Sequence, residues 1–235
     1  MERVVIPELL DTDAGTPEEV AGSLADLEMF NRYFGGVGTM ADLLMSVATQ
    51  RKLKSLSWLD VAGGQGRLAT RTVAALADKG LPVRPVVLDR AETHMDSGLD
   101  SVCGDALHLP FRDNSFDVVG CCLFLHHLEP PEIVAFVRDA LRVARHAVVI
   151  NDLIRHPLHL LISQIGRPIY RSRITRHDAV ASVRRAYTVE EIKEMLGDAP
   201  AQSVEVGEHY LFRMGVIAWK RTATTCKTAL CKATI

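Results

Sequence analysis

The segment Trp58-Leu59-Asp60-Val61-Ala62-Gly63-Gly64-Gln65-Gly66-Arg67-Leu68-Ala69 sets an acid and three glycines between an apolar run and a helical pattern. A strand ending near Asp60 and a helix starting after Gly66 leave a loop whose backbone N–H groups can approach a ligand closely. That is the layout of a nucleotide-type cofactor site. Gly64-x-Gly66-x-x-Ala69 also satisfies the dinucleotide fingerprint, so the loop alone leaves the cofactor class open.

Three further features bear on the choice. A carboxylate at Asp60 would repel a pyrophosphate and suits a ligand presenting ammonium and sulfonium charges, which favours S-adenosylmethionine. Val86-Val87-Leu88-Asp89 reads as a buried strand ending in an acid placed to accept from both ribose hydroxyls, as either cofactor class would require. Downstream come Val102-Cys103-Gly104-Asp105-Ala106, then Asn114-Ser115-Phe116-Asp117-Val118-Val119, then Leu125-His126-His127-Leu128. In this ordered set, from about Ser55 to Lys220, the chain resembles the class I S-adenosylmethionine-dependent methyltransferases. Leu59-Asp60-Val61-Ala62-Gly63-Gly64 looks most like the loop of the ubiquinone and menaquinone C-methyltransferases, whereas His126-His127 and the segment after Asn151 depart from that pattern.

The resemblance implies a cofactor-binding set of Asp60, Ala62, Gly63, Gly64, Gly66, Asp89, Arg90, Asp105, Ala106 and Cys122. Asp60 and the glycine loop would face the methionine part, Asp89 the ribose diol, Asp105 with the Ala106 backbone the adenine edge, and Arg90 the ring. His126 and His127 follow the fourth strand, at the sheet edge where ligands bind in open α/β folds, and are the candidate catalytic bases for a hydroxyl or acidic carbon. The bland reading gives them a packing or capping role. Arg32 and Tyr33, at the end of the first helix, are candidates to close on the cofactor, against an equally open surface role. The fourth strand lacks the Asn-Pro-Pro-aromatic sequence of enzymes that methylate amino groups of nucleic acids and proteins.

The elements that must position these residues alternate from Ser55 onward. Strands are expected to Val61, over Val83–Asp89, Ser101–Cys103, Phe116–Leu123 and Ala147–Asp152. Helices are expected from the glycine loop to about Asp78, briefly after Asp89, and over Pro131–Val143. The alternation reads as a doubly wound, mainly parallel sheet. A capping box at Thr188-Val189-Glu190-Glu191 opens a helix to about Gly197. Ser203–Glu208 and Tyr210–Lys220 must pair as an antiparallel hairpin, which gives the seven-stranded Rossmann-like methyltransferase topology by resemblance. Residues 1–54 form an N-terminal helical cap, with helices from Thr16 to about Tyr33 and from Thr39 to about Leu53 separated by Gly35-Gly36-Val37-Gly38. Residues 55–220 form the methyltransferase domain, and 221–235, rich in Thr, Ala, Lys and Cys, a disordered tail.

Residues 153–187 are an insert that the core fold does not need. Leu158, Leu161, Ile162 and Ile165 fall at helical spacing, and seven arginines stand against two acids between Asn151 and Tyr187. Two readings are open: a helix on the sheet edge with solvated arginines, or a lid whose apolar face meets a lipophilic acceptor and whose arginines meet an anion or a membrane headgroup. The 235 residues carry 27 basic and 29 acidic side chains, a net charge of −2, which argues against nucleic-acid binding through a basic surface. Five cysteines without metal-ligand spacing point to a reducing cytoplasm, to buried packing for Cys121 and Cys122, and to neither a disulfide framework nor a metal centre. No membrane span and no signal peptide is expected. The sequence reading is thus a cytoplasmic transferase that methylates an oxygen or activated carbon of a small phenolic, quinone-like or polyketide acceptor. An NAD-dependent oxidoreductase and a non-catalytic S-adenosylmethionine-binding regulatory module are the alternatives.

Overall fold

The computed structural model describes residues 1–12, 14–91 and 98–221. Its elements run α1 (Pro17–Tyr33), α2 (Gly36–Arg51), β1 (Leu56–Val61), α3 (Arg67–Asp78), β2 (Val83–Asp89), β3 (Ser101–Cys103), β4 (Phe116–Cys122), α4 (Pro130–Val143), β5 (Ala144–Leu153), α5 (Pro157–Ile165), α6 (Arg173–Arg185), α7 (Val189–Leu196), β6 (Ser203–His209) and β7 (Arg213–Trp219). The short helix expected after Asp89 and the tail beyond Arg221 lie outside the described residues.

The seven strands line up in the order β3-β2-β1-β4-β5-β7-β6. β7 runs antiparallel to both its neighbours, and the pairs from β3 to β5 are parallel. This is the mainly parallel sheet with a terminal hairpin expected from the sequence. Because strand side chains alternate between faces, the near-continuous apolar runs of β1, β4 and β5 feed two cores. Trp58, Val118 and Val149 pack under α2 and α3, while Leu59, Val119 and Ile150 pack under α4 and α7. Gly120 sits at the centre of this sandwich, opposite Asp60 on β1.

Several boundaries differ from the expected ones, β5 starting at Ala144 and β7 at Arg213 among them, and two of the differences have a clear physical reason. α2 begins at Gly36 rather than Thr39, because only Gly35 (φ 81°) takes the left-handed conformation that breaks a helix. Gly36 stays helical, and a Cβ there would lie 2.5 Å from the Asn31 backbone, so glycine permits α1 and α2 to meet closely. β4 ends at Cys122, because Leu123 turns out of the sheet at φ 55°. No helix among the described residues is long and apolar enough to cross a membrane.

α1 and α6 pack against each other across the carboxyl edge of the sheet, so the N-terminal helices and the insert form one cover. Asp26 is buried and accepts from the Arg171 N–H at 2.8 Å and the Ser172 N–H at 3.4 Å, tying α1 to the start of α6. Glu28 pairs with both Arg67 and Arg71, latching α1 to the helix that follows the glycine loop.

Gly120→Ala should test the sheet packing. The new Cβ would stand 2.8 Å from Val149 Cγ2 and 2.9 Å from Trp58 Nε1. We expect a loss of about 1–3 kcal/mol in urea unfolding, the usual cost of overpacking a tight core.

Candidate cofactor and acceptor site

β1 and β2 run parallel with Val61 opposite Leu88, so Asp60 and Asp89 leave adjacent strand ends. Asp89 then organises the loop: its Oδ2 accepts from the Gly64 N–H at 2.8 Å and its Oδ1 from the Ala91 N–H at 2.9 Å. Ala62 (φ 56°) turns the chain out of the sheet, and Gly64 (φ 52°) continues a path that a side chain resists. At Gly63 the demand is space. A Cβ there would lie 2.8 Å from Asp60 Oδ2 and 2.9 Å from Val87 Cγ1.

Asp60 is the most perturbed acid at this edge. It is fully buried, and among the described residues neither carboxylate oxygen has a hydrogen-bond partner. Burial first, and the nearby Asp89 charge second, push its pKa up to about 8. A buried carboxyl of this kind is held neutral until a cation arrives to compensate its charge. A positively charged ligand group above Gly63 would supply that compensation; a pyrophosphate would worsen it.

Asp105 follows β3, beside the end of β2, where the Gly104 N–H donates to the Asp89 carbonyl at 3.0 Å. His108 Nδ1 at 3.0 Å and the Leu107 N–H at 2.9 Å hold its carboxyl below the usual range. Ala106 is half-buried beside it, and Arg90 is exposed on the rim. Cys122 lies at the floor, where burial pushes its thiol up to about 12 and leaves it protonated, in keeping with a packing role. Asp60, Ala62, Gly63, Gly64, Asp89, Arg90, Asp105, Ala106, Cys122, His126 and His127 all line one cavity of about 860 Å³. Gly66 does not. It is the left-handed N-cap of α3 and shapes the loop from behind.

The two histidines separate in the structure. His126 is buried, with Nδ1 2.6 Å from Asp152 Oδ1 and Nε2 3.4 Å from Glu8 Oε1. Burial disfavours a charged imidazole, but Asp152 and Glu8 outweigh it and push the pKa up to about 10. Ringed by carboxylates, His126 binds its proton more tightly than a free imidazole does. His127 is half-buried, with Nδ1 3.3 Å from Asp11 and Nε2 3.8 Å from Glu8 Oε1.

Arg32 and Tyr33 do not line the cavity. The Arg32 guanidinium lies 5.0 Å over the Tyr33 ring and Tyr33 is exposed, whereas Asn31 faces inward, because successive helical residues point about 100° apart. Asn31 Oδ1 accepts from Arg213 at 3.2 Å, and Arg213 also donates to the Phe34 carbonyl at 3.0 Å. Buried Arg213 has no carboxylate partner among the described residues. The insert arginines are mostly taken: Arg155 is buried against Glu191, Arg173 pairs with Glu19, and Arg185 donates to the His127 carbonyl. Of the expected apolar stripe only Ile162 reaches the cavity; Leu158, Leu161 and Ile165 are 50, 49 and 69% exposed.

Glu8, Asp11, Asn31 and Arg213 are cavity residues that sequence reasoning did not single out. Asp11 and His127 stand 116 residues apart, and no spacing rule links them. An inward polar residue on α1, found by helical phase, is the one signal that would have identified Asn31.

The pKa of Asp60 fixes a pH dependence. Its folded value of about 8 lies above its unfolded value near 3.8, so the folded chain binds a proton that the unfolded chain gives up between them. Stability from this group falls as pH rises through that window. Asp60→Asn should flatten the fall, with a higher melting temperature than wild type at about pH 9 and little difference near pH 4, measured by scanning calorimetry without ligand.

Comparison with known proteins supplies a context for this geometry. Residues 59–150 match the family described as a methyltransferase domain. The chain is 31% identical over 121 residues to a ubiquinone/menaquinone biosynthesis C-methyltransferase of Ruegeria sp. (strain TM1040), covering 42% of this chain and 48% of that one. It therefore spans about half the length of the curated relative it matches. Among solved structures it is similar to the plantazolicin methyltransferase BpumL in complex with SAH, with a TM-score of 0.64 at 13% identity, covering 91% of this chain and 95% of the other. An O-methyltransferase family 2 protein from Planctomyces limnophilus DSM 3776, in complex with apigenin, gives a TM-score of 0.58 at 19% identity, covering 89% and 63%.

Proposed function

We propose, from the premise that this chain carries a methyltransferase domain in the class I S-adenosylmethionine-dependent methyltransferase fold, that it methylates an oxygen or activated carbon of a small lipophilic acceptor. The observation that carries this reading is the buried, unpartnered Asp60 carboxyl under the glycine loop, in one cavity with Asp89, Asp105 and the apolar cover. Bound there, S-adenosylmethionine supplies a methyl carbon on a sulfonium.

The residues fit that cofactor. Asp89 offers a carboxylate to the ribose diol, Asp105 and the Ala106 backbone meet the adenine edge with Arg90 at the rim, and Asp60 with Ala62, Gly63 and Gly64 faces the methionine part. Gly66 holds the loop. Cys122 packs under the ligand. Arg213, a buried cation presented by Asn31 and Phe34, suits the ligand's carboxylate. An NAD-dependent oxidoreductase is disfavoured, since Asp60 would oppose a pyrophosphate. The known relative's quinone-pathway name, the apolar cavity wall and the exposed stripe on α5 support a phenolic, quinone-like or polyketide acceptor and transient contact with a membrane surface. Among the described residues Cys103, Cys121 and Cys122 are unpaired, in accord with a cytoplasmic setting.

On the acceptor side the chain's work is alignment and exclusion of water. Holding an acceptor atom in line with the methyl can contribute several kcal/mol. α1, α5 and α6 cover the cavity, with Phe30, Ile162 and Tyr170 on its wall. His127 stands closest to an acceptor oxygen in this reading, and His126, fixed by Asp152, positions it through ring contact at 4.3 Å.

Calorimetric titration with S-adenosylhomocysteine should show binding in wild type and a loss of roughly 2–4 kcal/mol in Asp89→Ala, which removes hydrogen bonds to a charged acceptor. Unchanged affinity would remove Asp89 from the cofactor site, and NAD binding of comparable strength would return the oxidoreductase.

Ile162→Asn should raise the Michaelis constant for alkyl-substituted phenols or quinols several-fold, read by transfer of a labelled methyl group, while Leu161→Asn, which lies off the cavity wall, should not. Equal effects of the two would mean that α5 acts through folding and not through acceptor contact.

A further inference from the structure

We infer that Glu8, His126 and His127 form a binding site for a borderline-soft divalent cation of the zinc type at the acceptor end of the cavity. The three side chains come from two places that the domain matched by the family does not join: Glu8 from the N-terminal segment, the histidines from the turn after β4. Glu8 Oε1, His126 Nε2 and His127 Nε2 lie within 4.8 Å of one another. Glu8 Oε1 is 3.4 Å from the first nitrogen and 3.8 Å from the second. A tetrahedral ion with bonds of about 2.1 Å requires ligand atoms roughly 3.4 Å apart, so small side-chain adjustments complete the set.

Two independent observations favour a cation over a plain polar cluster. First, Glu8 is nine-tenths buried, and among the described residues its Oε1 makes no hydrogen bond of good geometry, only the looser approaches of the His126 and His127 imidazoles at 3.4 and 3.8 Å. A buried carboxylate oxygen in that state is costly unless something binds it. Second, each histidine turns its other nitrogen to a carboxylate: Asp152 Oδ1 at 2.6 Å from His126 Nδ1, and Asp11 at 3.3 Å from His127 Nδ1. This carboxylate–histidine pairing is the arrangement that orients metal-binding imidazoles; a divalent ion takes the place of the proton that the ion-free chain holds between His126 Nε2 and Glu8.

The supporting shell is itself fixed. Asp152 also accepts from the His126 and Leu153 N–H groups at 3.1 and 2.7 Å. Asp178 on α6 accepts from the Leu9 and Leu10 N–H groups at 2.9 and 3.0 Å, which pins the segment bearing Glu8. Arg185 approaches Asp11 at 3.7 Å and holds the His127 carbonyl. One carboxylate and two imidazoles leave a divalent ion with open positions, and both Glu8 and His127 line the cavity. An acceptor oxygen, a phenolate or an enolate, is the ligand class that suits such a position; this last point rests on the methyltransferase reading, whereas the ion site does not. No spacing along the chain forecasts the site, because the third ligand is supplied only by the fold.

The test is cobalt titration of the full chain after chelator treatment, followed by visible absorption. One Co²⁺ per chain, with the intense bands of a four- or five-coordinate ion and displacement by Zn²⁺, is the expected result. Glu8→Gln and His127→Gln should each weaken binding by at least about tenfold, and Asp152→Asn by about ten- to a hundredfold. His146→Gln, outside the cavity, should bind as wild type. Binding below one equivalent, or full binding in both Glu8→Gln and His127→Gln, overturns the site. Should Glu8→Gln fail to fold by circular dichroism, half-buried His127 decides the matter. S-adenosylhomocysteine titrated into the same stripped protein separates the two claims: its binding without cobalt binding defeats the ion site alone, and the reverse defeats the methyltransferase reading alone.

Discussion

Between β1 and β4 the chain reverses the direction in which it adds strands, running outward through β2 and β3 on one side and through β5 and β7 on the other. Right-handed crossovers then place α3 on one face and α4 on the other, and the loops that leave the two central strands diverge. The crevice between them opens at the carboxyl ends, where strand-end acids and helix starts converge. Every cofactor candidate sits on this edge because it follows a strand: Asp60 and the glycine loop after β1, Asp89 at the end of β2, Asp105 after β3, Cys122 at the end of β4.

That edge carries a cost that ligand binding can offset. Asp60 has been placed near the end of a largely buried strand, beneath a glycine loop too tight for a side chain and beside a second acid. Desolvation and like charge both work against its ionised form. The fold bears this because seven strands and two apolar clusters supply a core large enough to hold one unfavourable group. A residue that weakens the free chain and fits a cationic ligand is a functional arrangement more readily than a structural one.

The cover is the second determinant. α1 is tied to α3 by Glu28 and to α6 by Asp26, so the cofactor loop and the acceptor wall share one helix. Insert arginines that look, in sequence, like a basic patch for an anion are instead engaged by carboxylates and carbonyls of α1, α7 and the turn after β4. What remains on the inner side of the cover is largely apolar wall, with the histidine pair and its carboxylates at one end.

Local signals determined much of this protein. The positions of the strands, the glycine loop and the strand-end acids Asp60, Asp89 and Asp105 follow from apolar periodicity and from conformations that few residues tolerate, which are properties of neighbours in the chain. Helix caps at Thr16 and Thr188 were legible for the same reason. Only tertiary structure decided the rest. Whether Gly36 would break or pack a helix depended on Asn31 across an interface, whether Ile162 or Leu161 met the cavity depended on how α5 lay, and whether His126 was a free base depended on Asp152 and Glu8. Those outcomes are set by burial and by charges brought together from distant segments, quantities that exist for a side chain only after the chain has folded around it.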